Sequence, residues 1–393
     1  MFRRILCAVL RLALRVYFRR IEIVDLANVP LDKPVIFVLN HPNALVDPVF
    51  LLCLAPRRVS FLAKAPLFRM PVIGSLVRAL DCLPAYRPQD KGEDVNRNQE
   101  TFAAARALLA RGGTIGICPE GVSHNEPRLK PLKTGAARIA LAAVSSGQKL
   151  DLKIVPVGLY YTEKTSFRSS ALLHFGEPLT VDPVTLDSDG APPRDAVRAL
   201  SDRVEEALRD VMLHAEHDDA LGLIERTERI FSAEELNEVA EEQSLTRSRD
   251  LRQRLLEGYA LLRTRSPKRI AAVEARVNRF ESELKQAGID PFDLSLPKSA
   301  AQTISWLILQ LLACVVLALL TWKFFGPFLA ITSLLFVPLC GYVAIRFAEE
   351  FDRFWGGFQA LMLLVMRRRS FVRLLAERAA IRREILALRD NAV

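Results

Sequence analysis

Between residues 30 and 178, short apolar runs alternate with stretches whose apolar positions recur at helical spacing. Val35-Ile36-Phe37-Val38-Leu39 is apolar throughout, the mark of a strand buried on both faces. Runs of this kind predict strands over 35–40, 58–64, 114–119, 153–161 and 171–176. The segments between them predict helices over 47–55, 72–80, 94–111 and 133–146. The third helix is alanine-rich, stops at Gly112-Gly113 and is followed at once by a strand. Such alternation predicts an α/β domain, over residues 21–181, with a mostly parallel sheet flanked by helices.

The pattern then changes. Residues 182–195 are rich in Asp and Pro and read as a linker; 196–297 are charged and helical, with no strand signal. Residues 304–322 and 324–345 carry no charge, and only Lys323 separates them. Each run is long enough to cross a hydrocarbon core of roughly 30 Å. They predict a two-helix transmembrane hairpin over 300–346, turning at Gly326-Pro327, ahead of a basic helical tail over 347–393. Lys298 on one side and Arg346 and Arg367-Arg368-Arg369 on the other place both flanks, and the α/β domain, on the cytoplasmic face.

At helical spacing, Arg4, Arg11, Arg15 and Arg19 fall along one stripe of the first twenty residues, with Leu6, Val9, Leu10, Leu12, Leu14 and Val16 on the remaining surface. Residues 1–20 therefore read as an amphipathic membrane-interface helix with snorkelling arginines. A helix docked on the following domain is the plainer alternative. The net charge of +9 fits this picture, because the arginines flank the apolar segments. A bilayer with anionic lipids is the expected partner, and nucleic acid is not. Six scattered cysteines without a C-x-x-C pair suggest neither a disulfide framework nor zinc.

The richest stretch for chemistry is Asn40-His41-Pro42-Asn43-Ala44-Leu45-Val46-Asp47-Pro48, where the first domain strand ends. A histidine oriented by a carboxylate can take a proton from a hydroxyl. Arg87 follows an apolar stretch, and a guanidinium fork matches phosphate oxygens; a surface salt bridge is the ordinary alternative. Past the strand 114–119, Glu120 can accept from substrate hydroxyls, Gly121 permits close backbone approach, Ser123 can donate to a phosphate, and Lys133 adds a cation near a helix start. Val155, Pro156 and Val157 are candidates to line an acyl-chain groove, or simply a core strand. His214-x-x-His217 with Asp218 and Asp219 has ligand-like residues but sits in a charged helical stretch, so no metal site is expected. There is no G-x-S-x-G elbow and no Walker loop, which argues against a serine hydrolase and an NTPase.

Four blocks in this order resemble the glycerolipid acyltransferase family: His41 with Asp47, Phe68 through Gly74 to Arg87, Pro119-Glu120-Gly121, and Val155-Pro156-Val157. Five residues separate His41 from Asp47, where the family usually has four, and Val122-Ser123-His124 follows Gly121, where it usually has Thr-Arg. With Arg87-Pro88-Gln89-Asp90, these features look like the branch that acylates glycerol 3-phosphate and dihydroxyacetone phosphate. The resemblance implies catalysis by His41 and Asp47 and glycerol phosphate binding by Arg87, Glu120, Gly121, Ser123 and Lys133. The acyl donor is acyl-CoA or acyl-carrier protein, a co-substrate, and no cofactor is needed. A lysophospholipid acyltransferase is the alternative, and a catalytically idle lipid-binding scaffold the second.

Overall fold

The computed structural model describes residues 2–124, 126, 128–147, 149–162, 167–214, 245–287 and 368–390. They fall into two compact units, one of residues 1–218 with 243–253, the other of 219–242 with 254–393.

The first unit is built on an eight-stranded sheet. Its strands are β1 (Arg20–Val24), β2 (Val35–Leu39), β3 (Ser60–Lys64), β4 (Leu83–Ala85), β5 (Thr114–Ile117), β6 (Lys153–Tyr161), β7 (Ser170–Phe175) and β8 (Leu179–Thr180). The order across the sheet is β1-β7-β6-β2-β5-β3-β4, with β8 paired to β6. Neighbours from β6 through β4 are parallel, so their C-terminal ends share one edge. β2 is central and wholly buried, and successive side chains point to opposite faces. Ile36 and Val38 enter one core with α4 (Asn98–Ala110), α5 (Gly135–Val144) and α6 (Arg194–Val211). Val35, Phe37 and Leu39 enter the other with α1 (Phe2–Tyr17) and α2 (Val46–Leu54). A short α3 (Ile73–Ala79) leads into β4.

The mostly parallel α/β layout follows the apolar runs, with three differences. β1 extends the sheet beside β7 as an edge strand; Arg20, Ile21, Glu22 and Val24 are half-buried and Ile23 is exposed, so no alternating apolar face marks it. β7 is antiparallel to β6, because the eight residues 162–169 are too few for the dozen or more that a parallel crossover needs. The helix expected from residue 196 also packs on the sheet: Val197, Leu200, Val204, Leu208 and Val211 lie along one stripe of α6 and join the core with α4 and α5.

α1 docks and exposes apolar surface at once. Leu6, Cys7, Leu10 and Leu14 pack into the second core. Arg11, expected to snorkel at a membrane interface, instead donates from Nε and Nη2 to the Cys53 carbonyl (3.1 and 2.5 Å). Arg3 donates to the Val59 carbonyl (2.7 Å) and to Asp81 (2.9 Å). On the outward side Phe2, Ile5, Val9, Leu12 and Val16 are 40–63% exposed.

The second unit contains α8 (Pro267–Ala287) and α9 (Arg368–Asp390); α7 (Leu245–Arg265) begins in the first unit and continues here. Arg276 pairs with Glu377 (2.7 Å) and Glu384 (2.5 Å), and Arg373 with Glu283 (2.9 Å). Higher numbers on α8 thus meet lower numbers on α9, so the pair is antiparallel and α8 ends where α9 begins. The hairpin expected over 300–346 lies outside the described residues. Among those described, no helix is long and apolar enough to cross a membrane.

Candidate active site

The shared C-terminal edge is where open parallel sheets usually place ligands. It gathers His41 after β2, Glu120 after β5, Lys64 at the end of β3, Arg87 after β4 and Tyr161 at the end of β6.

His41 is fixed from both ends. The buried Asn40 side chain pairs with the Leu159 main chain in both directions (2.9 and 2.7 Å), locking the end of β2 to β6. The His41 N–H then donates to Glu120 Oε1 (3.1 Å), and its carbonyl accepts from the His124 N–H (3.3 Å). His41 Nδ1 lies 2.9 Å from Asp47 Oδ2. Giving the Nδ1 hydrogen to the carboxylate leaves Nε2 as the basic nitrogen. The five-residue connection is accommodated by a turn in which Ala44 takes a left-handed φ of 35° and Val46 N–H bonds Asn43 O (2.8 Å).

Asp47 sits in the first turn of α2, where the helix dipole favours a negative charge. It is fully buried. Asn43 N–H (2.7 Å) shares Oδ2 with His41, and the Tyr161 hydroxyl donates to Oδ1 (2.6 Å). Burial, then the charge of Asp47 and this hydrogen bond, push the Tyr161 phenol well above its ordinary value, so it remains a donor. Desolvation, with Asp47 and Glu120 nearby, likewise pushes the Cys118 thiol well up, which keeps it protonated and a poor nucleophile.

Glu120 differs from its expected role. Its carboxylate is buried, and Oε1 receives the His41 N–H while Oε2 receives the Lys130 N–H (2.9 Å) and the His124 ring. It organises the loop beneath His41 and has no oxygen turned to a substrate hydroxyl. Gly121 holds a φ of 71°, a conformation costly for other residues, and its carbonyl accepts from Arg87 Nη1 (2.6 Å).

Arg87 clasps Asp90 through Nε (2.8 Å) and Nη2 (2.7 Å). These bonds, with the Arg87 charge and more weakly Lys64, hold the Asp90 carboxyl below its ordinary value against partial burial. With the bond to Gly121 counted, three N–H groups of the guanidinium are engaged, of its five. Ser123 Oγ accepts from Ala44 N–H (2.9 Å), which leaves its own hydrogen free to donate. Lys133 anchors its main chain on Pro119 O (2.7 Å) and extends an exposed side chain across Gly121. Val155, Pro156 and Val157 are buried in β6, Val155 and Val157 in the core that α1 and α2 cover.

Tyr161, Asn40, His124 and Asp90 join the site without having been singled out from sequence as site residues. Tyr161 left one trace, a hydroxyl at the end of an otherwise apolar run. Among the described residues no group of His, Cys, Asp or Glu is arranged to hold a metal ion; His217, Asp218 and Asp219 lie outside them.

The structure places a histidine–carboxylate pair at the edge of an α/β sheet, at the same edge as Lys64 and Arg87. Residues 20–160 match the Acyltransferase family model. It is 29% identical over 245 residues to glycerol-3-phosphate O-acyltransferase 2 of Saccharomyces cerevisiae, covering 62% of this chain and 31% of that one. To glycerol-3-phosphate O-acyltransferase 1 of the same yeast it is 25% identical over 333 residues, covering 63% and 43%. A 1-acyl-sn-glycerol-3-phosphate acyltransferase of Bacillus subtilis is 27% identical over 121 residues, covering 30% and 56%. The chain spans less than half the length of these yeast relatives.

Proposed function

We propose that this protein is a membrane O-acyltransferase that moves a fatty acyl group from acyl-CoA or acyl-carrier protein to a hydroxyl of glycerol 3-phosphate or dihydroxyacetone phosphate. The observation that carries this reading is the His41–Asp47 pair, with Nε2 left open at the same edge as Arg87. Nε2 takes the acceptor's hydroxyl proton as that oxygen attacks the thioester carbonyl. The new C–O bond forms, the C–S bond breaks, and the departing thiolate takes the proton from His41. Asp47 stabilises the imidazolium between these transfers. The two remaining N–H groups of Arg87, the Ser123 hydroxyl and the Lys133 and Lys64 ammonium groups are the donors for the phosphate. Glu120 and Gly121 act one step back, by holding His41 and Arg87.

The names of the yeast relatives favour the unacylated acceptor, and the Bacillus relative supports a lysophosphatidate acceptor as the second reading. One labelled acyl-CoA offered to glycerol 3-phosphate, dihydroxyacetone phosphate and lysophosphatidate at equal concentration decides between them. Product mainly from either of the first two is expected. Product mainly from lysophosphatidate reverses the order, and no product from any acceptor leaves the lipid-binding scaffold.

Attachment to the bilayer is part of the proposal. The exposed apolar stripe of α1 suits the interface. The antiparallel α8 and α9 bring the chain back to the point from which it leaves for residues 288–367, as a two-crossing hairpin with both flanks in the cytoplasm requires.

A further inference from the structure

Asp47 has a support that the proton-transfer scheme does not use. Tyr161 is 5% exposed, and its hydroxyl reaches Asp47 Oδ1 at 2.6 Å from 114 positions along the chain. Its ring is gripped as well. Phe50, one turn beyond Asp47 on α2, meets it edge-on at 5.8 Å between centroids. Phe18, the residue after α1, stacks on it at 5.6 Å and meets Phe50 at 5.1 Å. Phe18 and Phe50 are both sealed from solvent. The Phe18 N–H still bonds the Leu14 carbonyl (2.8 Å), so the ring is a rigid extension of α1.

We propose that Tyr161 is a positioning residue for the His41–Asp47 pair, and that Phe18 holds Tyr161 in place, so that the docked α1 helix is part of the catalytic support. The physical argument has two parts. A buried carboxylate keeps its charge only while its oxygens are hydrogen-bonded, and Asp47 Oδ1 has Tyr161 as its side-chain donor. A phenol donates along a fixed line only if its ring cannot swing, and the Phe18 and Phe50 contacts prevent that. The other titratable groups near Asp47 and Tyr161 are His41, Cys118 and Glu120, and among them only His41 bonds Asp47.

This inference rests on the acyl-transfer reading, and the experiment separates the two. Full-length Tyr161→Phe, Phe18→Leu, the double variant and His41→Ala are purified and assayed for acyl transfer, with thermal unfolding on each. Tyr161→Phe keeps the ring and removes only the hydroxyl, so the fold survives. Its kcat is expected to fall about 10- to 100-fold, the loss of one bond to a buried charge, while KM for both substrates stays within about twofold. Phe18→Leu should lower kcat by about threefold or more, and add little in the Tyr161→Phe background because both act through one contact. A Tyr161→Phe enzyme with wild-type kcat, or one whose loss lies in KM, overturns the proposal. A Phe18→Leu loss that simply adds to the other, or that follows a collapse of the unfolding temperature, overturns the part assigned to α1. An active His41→Ala would instead sink the acyl-transfer mechanism itself, whatever Tyr161 does.

Discussion

Asp47 and Asp90 each hold a basic side chain at the same sheet edge, yet they are built differently. Asp47 is sealed and takes donors from three places: the His41 ring, the Asn43 main chain and Tyr161 on another strand. Asp90 reaches solvent and takes its two side-chain bonds from Arg87, three residues before it. A sealed pair works in a low dielectric, where losing one partner leaves an uncompensated polar group. A partly exposed pair is screened by water and salt. The first arrangement suits proton transfer, which needs one unchanging geometry. The second suits the capture of a charged ligand that must also leave.

The largest expected effect lies on the sealed side. His41→Ala should lower kcat by about 10²- to 10⁴-fold while the protein stays folded. More than a tenth of wild-type activity in the purified variant would contradict the contrast at its strongest point. On the exposed side, Arg87→Ala should act chiefly on KM for the phosphorylated acceptor, by about tenfold or more, with a smaller change for the acyl donor. Arg87→Lys should recover only part of this, since an ammonium lacks the fork. Equal effects on both substrates would remove Arg87 from the phosphate site.

The Arg87–Asp90 clasp also has a signed dependence on pH. Its carboxyl is held below its ordinary value, so the clasp is complete above about pH 4 and opens only as pH falls through that lowered value. Acceptor KM should therefore carry no contribution from Asp90 between about pH 5 and 8. A slope in that range that Asp90→Asn removes would show that the clasp is not the stable element described. Gly121→Ala is a smaller perturbation. It strains a left-handed backbone by about 1–2 kcal/mol and shifts the carbonyl that orients Arg87. Unfolding temperature should fall by a few degrees, with a modest rise in acceptor KM; a variant unchanged in both would show that the turn tolerates a side chain.

The least effect on chemistry is expected on the outward stripe of α1, away from the packed side that carries Phe18. Val9→Glu with Leu12→Glu charges the outward stripe without touching the packed side. Association with anionic vesicles should weaken several-fold at constant unfolding temperature, while activity on soluble acceptor and donor stays near wild type. Unchanged vesicle binding would remove the stripe from the interface.

Much of the fold was legible because apolar runs are a local signal. β2, β5 and β6 begin and end within a few residues of their expected limits, and α4 stops at Gly112-Gly113, whose N–H groups bond the Leu109 and Leu108 carbonyls (both 2.9 Å). The pairing of β1 and the packing of α6, whose helical character was expected, were not legible for the same reason. An edge strand of alternating charge and a helix with a charged outer face both look solvent-exposed until something packs on their inner side. In the site, His41, Asp47 and Arg87 could be singled out because proline, glycine and charge interrupt the pattern at strand ends. The role expected of Glu120 was harder to read. A carboxylate after a strand can face substrate or face inward, and three donors inside the loop turn it inward.

Sequence alone therefore determined the layered α/β arrangement and the edge at which the chemistry gathers, since each depends on residues a few positions apart. The tertiary structure alone decided which groups complete the hydrogen bonding of the buried Asp47. Tyr161 reaches Asp47 across 114 positions, and Phe18 reaches Tyr161 from the far end of the domain sequence. Burial makes such contacts strong, and burial is a property of the packed molecule that no local pattern encodes.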